Sequence, residues 1–373
     1  MRLPWATLHT RDRVDERGFR GATADTIART LERQAPWVAQ ARAAQREDAR
    51  MPFAGFGTRI VARTTQLMRS VVAGDEQRVS ELLATGAAPC SVSGDAYTAL
   101  HYAALTGRAE IAKLLCAAPG GAAALALCDK YGNTPLSLAA SRGGGGEGLV
   151  AALLEAVTAD ALVNLQNMRG STALACASEN GYEGAVRLLL AHGARQELQN
   201  EDGHTALHLA VSSRHADIVR LLCAAPGAAA ALALRDKWGR TPLMLAASRH
   251  DGHNECLVEA LLEEDAAGAT VDAQDEEGRS ALMWASNRGH EDALRLLLAR
   301  GARQELQDED GRAALHFAAG KGRADIVRLL CAAPGAASAL TLRDKAGSTP
   351  LALAVSRGHS DCEAVMRAHG PAE

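Results

Sequence analysis

The chain has 373 residues, 47% of them apolar and only 3% aromatic, with a formal net charge of -4. Its apolar content is mostly Ala and Leu, which suits short, closely packed helices, and the mild acidity marks no nucleic-acid binder. No uninterrupted apolar run reaches the roughly 18 residues that a membrane span needs, so no membrane association is expected.

The charge is unevenly spread. Residues 1–63 hold twelve Arg against seven acids, about +5, while the remainder holds 28 basic and 37 acidic residues, about -9. The start lacks the apolar core of a signal peptide, and Asp12, Asp15 and Glu16 argue against a transit peptide. An intracellular protein, cytoplasmic or nuclear, is expected. Ala24 to Arg50 predicts one or two helices around Pro36, with Ile27, Leu31 and Val38 as a thin apolar stripe. Residues 1–63 thus read as a basic N-terminal segment of no recognised fold, partly helical or disordered.

From residue 64 to 373 one pattern takes over. The stretch Gly94 to Gly120 returns at Glu201 to Gly227 and again at Glu309 to Gly335, each closing on Leu-Leu-Cys-Ala-Ala-Pro-Gly. Related units open at Gly132-Asn133-Thr134-Pro135, Gly170-Ser171-Thr172, Gly239-Arg240-Thr241-Pro242, Gly278-Arg279-Ser280 and Gly347-Ser348-Thr349-Pro350. Each unit supplies a Gly turn, a short apolar helix, a second helix and a polar return. A lone helix pair cannot bury both faces, so the units must stack around a one-dimensional core.

These motifs resemble the ankyrin repeat. The resemblance covers about Thr65 to the C-terminus and implies an all-α solenoid, a curved elongated array of helix-turn-helix repeats with β-turn or hairpin tips. Nine repeats are expected, end caps included. His101, His208 and His316 fall on the family's turn-and-helix His position, where the resemblance implies a structural tie between turns. A longer period overlies the short one: Gly203 to Gly311 and Gly239 to Gly347 are both 108 residues apart, so a block of three repeats is duplicated. At the far end, Glu363 and Arg367 place charges where a further repeat would pack, as suits a terminal helix.

Catalytic and metal chemistry has little support. Cys116, Cys223 and Cys331 are equivalents three repeats apart, too distant to pair, and read as free thiols. His250, His253 and Cys256 have zinc-ligand character and spacing, but the equivalent insertion, Gly143 to Glu147, holds no such ligand set. No Gly-Lys-Ser/Thr follows that glycine run, so it reads as a loop and not a phosphate cradle. No cofactor is expected.

Binding residues are sought on the turns and at the ends of the first helices, where the resemblance places partners. Tyr131 and Trp238 stand beside turn glycines, where most equivalents are polar. Arg142, Arg249, Arg288, Lys321 and Arg357 occupy first-helix ends, and Arg240, Arg279 and Arg312 follow turn glycines. Arg grips carboxylates in a forked geometry, so an acidic peptide or domain is the favoured chemistry. The competing reading of the helix-end cations is that they complement helix dipoles. Acidic tips at Glu201, Asp202, Glu276, Glu277, Glu309 and Asp310 disfavour nucleic acid. Tyr102, Trp284 and Phe317 share an apolar repeat position and read as core. A monomeric, non-catalytic adaptor that binds a protein partner through its concave groove and turn tips is expected. A structural or regulatory arm masked by residues 1–63, and a metal or enzymatic role for the His250 cluster, stay open.

Overall fold

The computed structural model describes residues 56–369, apart from 94, 143–145, 158–159, 250–254, 266–267 and 269. These residues belong to the second of two compact units, Gly55–Glu373. The expectations for Ile27, Leu31 and Val38 lie outside the described residues, and the first described helix runs across the expected boundary at 63/64.

Among the described residues, nine helix pairs follow one another. They are α1 (Phe56–Ala73) with α2 (Glu76–Ala84), α3 (Ala99–Thr106) with α4 (Ala109–Ala117), and α6 (Pro135–Ala140) with α7 (Gly146–Ala156). Then come α9 (Ala173–Asn180) with α10 (Glu183–Ala191), α11 (Ala206–Ser213) with α12 (Ala216–Ala224), and α14 (Pro242–Ser248) with α15 (Glu255–Glu264). The last are α16 (Ala281–Arg288) with α17 (Glu291–Ala299), α18 (Ala314–Gly320) with α19 (Ala324–Ala332), and α21 (Pro350–Ser356) with α22 (Ser360–His369). Among the described residues there is no strand.

The first helices of successive pairs pack on one another, and so do the second helices, giving two layers. Leu100, Leu174 and Leu207 from the first layer and Leu115, Leu153, Leu189 and Leu222 from the second are fully buried between them. At about 25 cal/mol per Å² of apolar surface, this seam supplies the main cohesion. In α22, Cys362 and Met366 face the seam, while exposed Arg367 pairs with Glu363 at 2.9 Å.

Four shorter helices fill the returns. α5 (Gly121–Ala124), α13 (Ala228–Ala233) and α20 (Ala336–Thr341) each start after a left-handed glycine, Gly120, Gly227 or Gly335. α8 (Asp160–Val163) is the fourth. The alanine turns after Gly120, Gly227 and Gly335 stand where the sequence pattern predicts only a polar return.

Seven of the first helices begin at a hydroxyl cap. Thr98, Thr134, Thr172, Thr205, Thr241, Ser280 and Thr349 each accept the backbone N–H three residues on. Three of these helices add Pro at their first position, where its missing N–H costs nothing. His101 and His208 extend the cap: Nδ1 accepts the Thr98 and Thr205 hydroxyls at 2.8 Å. Their Nε2–H groups donate to Asn133 O at 3.0 Å and Arg240 O at 3.2 Å in the next repeat. His316 reaches Ser348 O at 3.2 Å in the same way. The implied tie between turns is therefore present in all three copies.

Candidate partner-binding surface

Six successive turns are each organised by one Asx side chain. Asp129 Oδ1 accepts the Tyr131 and Asn133 N–H groups, both at 2.8 Å. Asn167, Asn200, Asp236, Asp275 and Asp308 repeat this two-bond pattern. A glycine with positive φ follows because the chain must reverse there. At Gly203 a Cβ would also meet Asp236 Cα at 2.8 Å, so the neighbouring turn itself demands glycine.

Adjacent tips are tied through the backbone. The amides of Met168, Glu201, Lys237, Glu276, Glu309 and Lys345 donate to Tyr131, Arg169, Asp202, Trp238, Glu277 and Asp310 carbonyls, at 2.8–3.2 Å. Side-chain struts reinforce them. Gln166 Nε2 donates to Gly170 O in its own turn and to Gln199 O in the next, at 2.6 and 2.9 Å. Gln199, Gln274 and Gln307 do the same. These glutamines, each directly before the Asx residue, were missed in the sequence, although the Gln-Asx pair recurs there.

On this rigid edge Tyr131 and Trp238 stand out, 56% and 44% exposed. Lys130 Nζ lies 5.2 Å from the Tyr131 ring, and its ammonium pairs with Asp95 at 2.9 Å. Trp238 carries Lys237 and Arg240, both 4.4 Å from its ring, and leans on His204 at 6.0 Å. Lys237 in turn pairs with Asp202.

The turn arginines are engaged within their own tips. Arg240, Arg279 and Arg312 bond Asp236, Asp275 and Asp308 through Nε at 2.9–3.1 Å. Arg279 also reaches Glu277, and Arg312 reaches Asp310, both at 2.7 Å. Bonds from Arg240 and two backbone amides hold the Asp236 carboxyl below the usual range, against the opposing effect of its burial.

Tyr102, Trp284 and Phe317, read from sequence as core, are instead half-buried. Arg279 covers Trp284 at 4.1 Å and Arg312 covers Phe317 at 4.9 Å. Trp284 Nε1–H also donates to Asp275 Oδ2 at 3.1 Å.

The helix-end cations divide. Arg142 donates to Leu105 O, and Arg357 to Gly320 O at 2.6 Å, so both satisfy a carbonyl at the end of the preceding first helix. Arg249 is half-buried at the end of α14, and its own carbonyl accepts from His290 Nε2. Arg288 ends α16 with its guanidinium 6.0 Å from Trp284, and Lys321 caps α18, exposed.

Of the proposed metal trio, His250 and His253 lie outside the described residues, and Cys256 is exposed on α15. Among the described residues no group of three His, Cys, Asp or Glu is placed to hold a metal ion. None of the eight cysteines forms a disulfide, and burial pushes Cys116 and Cys331 up to about 11.

A family model for ankyrin repeats matches residues 67–167, 145–232, 227–308 and 301–370. The chain is an ankyrin-repeat protein. Ankyrin repeat domain-containing protein 63 of mouse, and its human counterpart, are each 46% identical over 65 residues, 17% of this chain. The matched stretch spans only 16% of the length of those relatives. Ankyrin repeats are generally protein–protein interaction modules and typically non-catalytic. Among the described residues of this ankyrin array, no helix is long and apolar enough to cross a membrane.

Proposed function

We propose that this ankyrin array is an adaptor that holds a protein partner on its turn tips, with Tyr131 and Trp238 as anchors. The observation that supports this is the exposure of two large rings on a hydrogen-bonded edge. Equivalent tip positions elsewhere are Arg169, Asp202, Glu277, Asp310 and Ala346. A rigid edge loses little entropy on binding, and an aromatic flanked by ammonium groups can lose its water to a partner pocket. The acidic residues around the tips favour protein over nucleic acid.

A photo-crosslinking residue placed at Trp238 should capture a defined protein that the same residue at Arg220, on the second-helix layer, does not. Replacing Tyr131 and Trp238 by Ala should weaken that partner by roughly thirtyfold, about 2 kcal/mol. Equal capture at both places, or unchanged binding by the folded double variant, would overturn the reading.

A further inference from the structure

The turn ladder has one open joint. Its six backbone bonds start at Met168 N; among the described residues none runs from Lys130 N to Asp95 O, the equivalent pair one repeat earlier. The cause is Ala96. Every later turn has glycine at this place, from Gly132 to Gly347, with φ between +73° and +80°. Ala96 takes the same left-handed turn, φ +63°, although it carries a methyl group. At Gly132, Gly203 and Gly239 an added Cβ would stand 2.7, 2.8 and 2.6 Å from Met168 N, Lys237 N and Glu276 N, the ladder donors themselves. A methyl at this place therefore keeps the next amide from its carbonyl.

Two further changes loosen the same joint. Ser93 stands in for the Asx residue, and its hydroxyl accepts Tyr97 N–H at 3.2 Å. Val92, 46% exposed, stands in for the glutamine strut and can donate to neither turn. What spans the joint is an exposed ion pair, Lys130 with Asp95 at 2.9 Å, and beneath it His101 Nε2–H on Asn133 O at 3.0 Å. An exposed pair of this kind holds weakly and is screened by salt. Half-buried Tyr97 faces the joint: burial raises its phenol above the usual range, and the charges of Asp129 and Tyr131 across the joint add to this. Trp238 is held differently. Its tip is bonded on both sides, by Lys237 N to Asp202 O and by Glu276 N to its own carbonyl.

We propose that the first tip is hinged: it pivots at the His101 bond, is latched by Lys130 and Asp95, and swings away from Tyr131 while every later tip stays fixed. This deepens the adaptor reading above and rests on it for its use. Trp238 is then a fixed anchor and Tyr131 an adjustable one. Opening the joint bares the Tyr97 side of the Tyr131 ring, so a partner side chain too bulky for the closed joint lodges there. The array thereby accepts partners that differ in bulk at one end and match at the other.

The test is relaxation dispersion and hydrogen exchange at the backbone amides of the free full chain. Broadening on the microsecond-to-millisecond scale is expected at Tyr97 and Lys130, and not at their equivalents Arg240 and Lys237. The Lys130 amide should exchange more than tenfold faster than that of Lys237. Ala96→Gly removes the methyl; it should quench the broadening and slow Lys130 at least tenfold. Asp95→Asn undoes the latch and should raise the open population several-fold. The amides of Ala103 and Ala104, buried in α3, should stay protected in all three proteins. Loss of protection there would mean that the whole repeat unfolds, and would end the hinge account. Equal protection of Lys130 and Lys237 in the wild type, or an Ala96→Gly variant that exchanges as the wild type does, would do the same. No partner enters these measurements, so a closed joint defeats the hinge and leaves the anchors to their own crosslinking test.

Discussion

A single missing hydroxyl distinguishes the third copy of the duplicated turn. Thr98 and Thr205 cap their helices, but Ala313 stands at the equivalent place, leaving His316 Nδ1 with only the Ala313 N–H at 3.1 Å. Ala313→Thr should therefore stabilise the protein by about 1 kcal/mol, the usual worth of such a cap, read as a higher urea midpoint. The histidines below these caps set an acid limit. Burial pushes His101 and His208 down to about 4 from the usual 6.5, and lowers His316 as well. The unfolded chain thus binds more protons than the native state between those values. Stability is fully present above about pH 6.5 and falls as the pH drops towards 4, by roughly 3 kcal/mol for each of the first two. Urea titrations at pH 7.5 and 5.0 should show the loss, and His101→Gln should reduce it. An unchanged pH dependence in that variant would remove His101 from the account.

At the scale of the element, the turn stack is the vulnerable joint. Gln274 ties its own turn at Gly278 O to the next at Gln307 O. Gln274→Ala removes both bonds and leaves two part-buried carbonyls, a cost of about 1–3 kcal/mol. Gly203→Ala should cost more than its positive φ alone, since the new methyl meets the backbone of Asp236. The helix pairs and their order were legible in the sequence because Gly, Thr, Pro and Leu-Leu recur in register. The struts were not, because a glutamine side chain reads as a solvated surface until the next turn is placed beside it. Of the expected site, Tyr131 and Trp238 are exposed on the tips. Arg240, Arg279 and Arg312 instead close ion pairs with the Asx residue four places earlier, a pairing that sequence spacing alone could have suggested.

Across the whole described array, cohesion is a sum over neighbours, because each pair packs on the one before and the one after. The 108-residue period makes this testable. Deleting residues 203–310 joins Asp202 to Gly311, regenerating the Glu-Asp-Gly tip of both parent turns. Six helix pairs should then fold with unchanged helical signal per residue and a sharp melt. A molten or aggregated product would show that the array depends on contacts beyond nearest neighbours.

The ladder of tip amides has a use of its own. Each of the six donors, from Met168 to Lys345, belongs to one interface between two particular repeats. Hydrogen exchange at each amide is then a private clock for one joint, ticking only when those two repeats part. Read in order, the six clocks would locate where the stack breathes first, and a bound partner would slow only those beneath it.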